Sequence, residues 1–151
     1  MSRKPTFLFE LLQWHARHNP DRIAYRFLLD GEEEEVVWTY KALDKRGRSI
    51  AAVLQTAASE GDRVLLLFPP GLDFIAGFIA CLYANVIPVP ADPPHPNRLH
   101  YKLPIINRIA EDARPSVVLL TADLYRAIQA EKAKIGPLGN CKLIIGNNNQ
   151  W

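Results

Sequence analysis

From Arg63 to Ile145 the chain alternates short, unbroken apolar runs with longer segments of helical periodicity. Few architectures accept that pattern. A run such as Val64-Leu65-Leu66-Leu67 has no polar alternation, so both of its faces must be buried, as in a parallel strand with helices on either side. Strands are expected at residues 63–68, 86–89, 116–120 and 142–145, and helices at 72–84, 101–113 and 122–134. The expected fold class is α/β, a mostly parallel sheet flanked by helices.

A prelude precedes this region. Phe7, Leu8, Leu11, Leu12 and His15 fall near one face of a helix over 7–18, and Asn19-Pro20-Asp21 stops it. The β-prone runs 23–29 and 36–39 flank Asp30-Gly31 and predict an antiparallel hairpin, with Glu32 to Glu35 in water near its tip. Leu43, Ile50, Val53 and Leu54 then recur at helical spacing over 40–58. Thr39 is placed to cap that helix, and Gly61-Asp62 follow its end.

At 151 residues, with 48% hydrophobic and 23% charged side chains, the chain has the size and composition of one globular domain. A domain of that length buries roughly 70% of the surface its unfolded chain would expose. A net charge of +2, with Arg22, Arg46, Arg63, Arg98 and Arg108 dispersed among acids, argues against a nucleic-acid binder. Cys81 and Cys141 form no Cys-x-x-Cys pair and read as small core residues, which suits a reducing, cytoplasmic compartment. Glu10, Gln13, Trp14 and His15 interrupt the start before a signal-peptide core forms. The apolar stretch 74–91 approaches membrane-span length, but Pro88 and Pro90 break it and Asp73 closes one end, so two soluble elements are expected instead.

The residues that carry chemistry are sparse. No Gly-x-x-x-x-Gly-Lys-Ser/Thr phosphate loop or Ser-Gly-rich equivalent occurs, and Gly136-Pro137-Leu138-Gly139 lacks the hydroxyls and following lysine. His15 and His18 lie three apart on a helix but have no third ligand nearby, so solvent-facing or stapling roles are favoured over metal binding. His95, Arg98 and His100 form a loop cluster that either touches a phosphate or, more simply, is solvated. Ser49, Ser59 and Ser116 have no Gly-x-Ser-x-Gly elbow, and Cys81 has no evident histidine partner.

Three stretches together carry a family resemblance. Trp38-Thr39-Tyr40-Lys41-Ala42-Leu43 is similar to an aromatic-Thr-Tyr-x-x-Leu helix start. Gly61-Asp62-Arg63-Val64, Gly71-Leu72-Asp73-Phe74-Ile75 and the run Cys81 to Pro96 resemble a Gly-Asp-Arg-Val strand, a Gly-x-Asp-Phe helix start and a Val-Pro-Ala-x-Pro-Pro loop. Ile109-Ala110-Glu111-Asp112-Ala113-Arg114-Pro115 resembles a helix-to-strand step. In this order and spacing they resemble the amino-terminal portion of adenylate-forming enzymes, specifically fatty acyl-AMP ligases. Asn85 stands where that family usually has Gly, and asparagine is the next best residue for a left-handed helix end. Pro88 and Asp92 also depart from the subgroup pattern, Pro88 by removing a ladder donor from a strand.

The resemblance implies a parent reaction in which ATP and a fatty acid give acyl-AMP and pyrophosphate, followed by acyl transfer to a carrier-protein thiol. It implies ATP and Mg2+ as cofactors of the complete enzyme, with none held tightly here. Implied partners are the remainder of the adenylating domain, fatty acid and acyl carrier protein. Residues 1–146 are expected to form a partial, interrupted adenylating domain, and 147–151 a frayed polar tail. No Thr-Gly-Asp ribose site or lysine-bearing carboxy-terminal domain is found. No catalytic, cofactor-binding or metal residue is therefore assigned, and the chain alone is expected to be catalytically silent. A non-catalytic binding module, or part of an acyl-CoA synthetase or peptide-synthetase adenylation domain, would share the scaffold.

Overall fold

The computed structural model describes residues 5–29, 31–131 and 134–146. The expected tail at 147–151 lies outside the described residues. Helix α1 (Leu8–His18) leads into the antiparallel hairpin β1 (Ile23–Leu28) and β2 (Glu35–Thr39), followed by the long helix α2 (Tyr40–Ala57). Thereafter β3 (Arg63–Leu67), α3 (Leu72–Tyr83), β4 (Ile87–Pro90), α4 (Leu99–Ala113), β5 (Val117–Leu120), α5 (Ala122–Ala130) and β6 (Lys142–Ile145) follow in strict alternation. The four later strands make one parallel sheet in the order β4-β3-β5-β6.

Burial follows the two-residue period of a strand. Val64 and Leu66 of β3, with Val117 and Leu119 of β5, face a cluster formed with α2 and α3. Leu65 and Leu67, with Val118 and Leu120, face the opposite cluster, to which α4 and α5 contribute Leu103, Ile106, Leu124 and Ile128. All eight strand residues are 0% exposed, which is why these strands carry no polar alternation. A smaller cluster of Leu12, Leu43 and Ile79 fastens α1 to α2 and α3.

The helix ends obey local chemistry. Thr39 Oγ1 accepts the Ala42 N–H at 3.2 Å and caps α2. Thr39→Ala is expected to cost about 1 kcal/mol, read as a lowered urea midpoint with unchanged slope. Asn85 adopts φ 60° after α3. The Val86 N–H reaches Cys81 O at 3.0 Å and the Asn85 N–H reaches Leu82 O at 3.4 Å, closing a Schellman motif without glycine. The Asn85 side chain also donates to Glu60 Oε1 at 2.6 Å, a bond that glycine would lack.

Several expectations need correction. Pro88 removes no ladder donor: the N–H groups of Ile87 and Ala91 point at β3, donating to Asp62 O and Leu66 O, so the nitrogens of Pro88 and Pro90 lie on the outer side of an edge strand. Helix α5 stops at Ala130, short of 134, because the chain turns through a Lys134 N–H to Glu131 O bond of 2.8 Å and buries Ile135 completely. Helix α4 begins at Leu99, two residues early, because a 3-10 turn at Pro96–Arg98 feeds directly into it. Glu32, Glu33, Glu34 and Glu35 are all exposed as expected, but Glu35 lies within β2 and pairs with Arg26 at 2.8 Å.

Candidate functional site: a proline-walled cleft at the sheet edge

The strand order fixes where a ligand crevice can form. After β3 the chain steps through α3 to β4 on one side, then returns across β3 to β5 and β6 on the other. The reversal makes a topological switch point at the carboxyl ends of β3 and β5, the usual ligand edge of an open parallel sheet. A cleft of about 720 Å³ lies there. Pro69 and Pro70 after β3, Pro93, Pro94 and Pro96 after β4, and Thr121 after β5 form its walls.

Its charged groups are Asp73, Asp92 and Asp123 against Arg98 and Lys102, and the His95 imidazole lies among them. Asp92, a departure from the family pattern, is paired with Lys102, and Asp123 is paired with Arg126. Thr121 Oγ1 is occupied in capping α5, accepting the Leu124 N–H at 3.3 Å. Beside the cleft, Arg46 of α2 donates to Gly146 O at 3.0 Å at the end of β6. The Phe68 ring lies so close to Gly146 that a Cβ there would sit 2.6 Å from Phe68 Cζ. That corner holds no spare room.

Asp73 is half-buried at the start of α3. Burial raises its pKa above the ordinary 3.8, and Arg46 offsets part of the rise. The folded state therefore holds this proton more tightly than the unfolded chain does. Asp73 contributes most below the ordinary carboxylate range, and stability declines as pH climbs through the raised value. Asp73→Asn is expected to raise the urea midpoint at pH 7 and to show a smaller gain at pH 4. An equal gain at both values would contradict this origin.

The cluster His95, Arg98 and His100 is divided. His95 and Arg98 line the cleft, whereas the His100 ring lies tilted against Tyr101 with ring centroids 4.3 Å apart. His15 stacks on Tyr40 at 4.6 Å and His18 on Trp14 at 4.5 Å, the stapling alternative. Ser49 donates to Lys45 O at 3.0 Å within α2, and the Ser59 N–H is held by Asp62 at 2.9 Å. The Ser116 hydroxyl lies at the opposite, amino edge of the sheet, its backbone joined to Arg63 and Lys142. Cys81 is fully buried and its thiol is pushed up to about 12 by desolvation, so it is a core residue without nucleophilic character. Burial likewise raises the Cys141 thiol. Of the cleft's charged groups Lys102 carries no signal in the sequence, whereas Asp73 stands in the Gly71-Leu72-Asp73-Phe74-Ile75 helix start. Lys102 in α4 meets Asp92 in the loop after β4 across ten positions, a separation with no local signature, but Thr121-Ala122-Asp123 is legible as a helix start.

A family model described as AMP-binding enzyme matches residues 12–149. The chain belongs to the AMP-binding enzymes. Within that family it is similar to the amino-terminal portion of fatty acyl-AMP ligases. A medium-chain-fatty-acid–[acyl-carrier-protein] ligase, JamA of Moorena producens, is 41% identical over 134 residues, covering 87% of this chain and 23% of the relative. Disco-interacting protein 2 homolog B-A of Danio rerio is 39% identical over 87% of this chain and 8% of its own length. A crystal structure of a fatty acyl-adenylate ligase from L. pneumophila, in complex with acyl adenylate and pyrophosphate, superposes with a TM-score of 0.77. It is 35% identical over 93% of this chain and 23% of that one. The chain thus spans less than a quarter of the length of each of these relatives.

Proposed function

We propose that the chain, through residues 1–146, supplies the opening part of the adenylating domain of a fatty acyl-AMP ligase-like enzyme in the cytoplasm, and that alone it is catalytically silent. The complete enzyme joins a fatty acid to the AMP moiety of ATP, releases pyrophosphate and passes the acyl group to an acyl carrier protein. Support comes from the Moorena relative, named as an acyl-carrier-protein ligase, and from the L. pneumophila ligase holding acyl adenylate and pyrophosphate.

The family implies ATP with Mg2+, which would offset charge on the phosphates. The described residues do not fit that group. Lys102 is neutralised by Asp92, three carboxylates line the same cleft, and among the described residues no cluster of three or more His, Cys, Asp or Glu side chains could hold a metal ion. No step through ATP is therefore assigned to this chain.

The observation that carries the reading is the pairing of this switch-point cleft with a sequence that contains no Ser/Thr/Gly-rich phosphate loop. A second reading, a non-catalytic binding module, draws on the Danio relative, named for an interaction. The exposed apolar side chains favour the first. Ile87 on the edge strand is 50% exposed, and Tyr101 and Ile105 on α4 are 70% and 61% exposed, where a self-sufficient module should be polar. No helix among the described residues is long and apolar enough to cross a membrane. The test is ATP–pyrophosphate exchange by the purified chain with a panel of fatty acids. Background rates are expected, and exchange above background would overturn the proposed silence.

A further inference from the structure

The geometry points to a second binding site, a cavity between α1, the hairpin and α3 that takes a small neutral molecule with an apolar body and one hydrogen-bond acceptor. The inference rests on this cavity alone and does not require the ligase reading.

The cavity measures about 400 Å³ and shares no lining residue with the proline-walled cleft. The sequence builds it from two helix faces that meet only in part. Leu8, Leu11, Leu12 and His15 fall at i, i+3, i+4 and i+7 along α1, and all four line it. Phe74 and Phe78 stand one turn apart on the facing side of α3. Of the α1 face only Leu12 is buried, packed with Leu43 and Ile79, while Leu8 and Leu11 remain 59% and 44% exposed. The hairpin supplies the remaining wall. Successive strand residues ordinarily point to opposite faces, yet Ala24 and Tyr25 both line the cavity, because the pairing of β1 with β2 shifts register between Ile23 and Tyr25.

The lining sets the chemistry of the occupant. Packed interiors leave few voids larger than a water molecule, and a space walled by leucine and phenylalanine holds water poorly. Among the described residues no Asp, Glu, Lys or Arg side chain lines it, so an ion entering would lose its hydration and gain no countercharge. The polar side chains are His15, Tyr25 and Tyr40. Asn19 Nδ2 donates to His15 Nδ1 at 3.4 Å, which leaves the proton of the neutral ring on Nε2. Stacking on Tyr40 at 4.6 Å holds the plane of that ring. The Nε2–H has no partner among the described residues and is the donor for an acceptor on the ligand. The volume lies near the lower end of the range for small-molecule pockets and suits a ligand of about ten heavy atoms. The ligand class is accordingly a neutral carbonyl compound on a hydrocarbon body.

The test is a 1H–15N NMR titration of the full 151-residue chain at neutral pH with 2-nonanone, and with nonanoate as its charged counterpart of equal length. Saturable shifts of the amides in residues 8–15, 24–25 and 74–79 are expected with the ketone, and nonanoate should bind at least about tenfold more weakly because its charge finds no partner. His15→Phe keeps a ring against Tyr40 but removes the donor, and is expected to weaken ketone binding about fivefold, the loss of one neutral hydrogen bond. Leu11→Trp should fill the opening and abolish the shifts. Ile105→Ala, on α4 at the opposite face of the sheet, should leave binding unchanged. Retained spectral dispersion shows that each variant is folded. Shifts that are absent or fail to saturate, nonanoate binding as tightly as the ketone, or ketone binding indifferent to either His15→Phe or Leu11→Trp would overturn the assignment. None of these outcomes depends on exchange activity, so failure here and failure of the ligase reading are separable.

Discussion

Leu119→Ala is expected to lower the unfolding free energy by about 3 kcal/mol, the typical cost of a truncated, fully buried leucine. Leu119 lies in β5, which is hydrogen-bonded on both sides, to β3 and to β6. Its side chain is 0% exposed in the cluster shared with α2 and α3. A Cβ on Gly77 of α3 would stand 3.8 Å from Leu119 Cδ1. A strand held from both edges cannot collapse into the space that alanine would leave, so the cavity should persist. Ile105→Ala, 61% exposed on α4, serves as the comparison and should change stability by less than about 0.5 kcal/mol. Urea unfolding of both variants checks the pair, and similar midpoints would contradict the assigned core.

Gly47→Val is expected to destabilise by about 2 kcal/mol through overpacking. Gly47 lies mid-helix in α2, where glycine is otherwise a liability. It is tolerated there because α3 approaches closely: a Cβ would lie 3.0 Å from Ile79 Cγ2 and 3.3 Å from Tyr83 Cε2. Tyr83 cannot easily swing aside. Its hydroxyl donates to Asp44 Oδ1 at 2.6 Å, and Arg48, which donates to the other Asp44 oxygen at 2.8 Å, lies 5.4 Å from the ring centre. Burial, and after it the bond to Asp44, raise the Tyr83 pKa, so the phenol stays protonated and the bond persists through the neutral range. Gly47→Ala should be nearly neutral, because its gain in helix propensity of about 1 kcal/mol offsets a smaller clash. Destabilisation that fails to grow from alanine to valine would show that the helices are not in such close contact.

The sheet was legible in the sequence because its central strands are buried on both faces, and Val64 to Leu67 and Val117 to Leu120 record that directly. Thr39 and Asn85 were legible for the same reason of locality: a cap or a left-handed helix end depends on the residue itself and its near neighbours. What escaped depends on partners distant in sequence. Pro88 reads as a defect until β4 is known to be an edge strand whose even-numbered nitrogens face outward. The end of α5 is set by the burial of Ile135, beyond any pattern within the helix. At the cleft, the basic cluster was visible as a group. Its division into a cleft-facing His95 and Arg98 and an outward His100 follows from the phase of the 3-10 turn before α4.

The most direct test of the central claim is ATP–pyrophosphate exchange, with a fatty-acid panel, by this chain mixed with a polypeptide that supplies the remainder of the adenylating domain, its Ser/Thr/Gly-rich loop included. The account predicts exchange in the mixture, with background rates from either component alone. Exchange by this chain alone would contradict it, because the phosphate chemistry would then have to come from residues assigned no such role, and silence of the mixture would count against a complementing ligase.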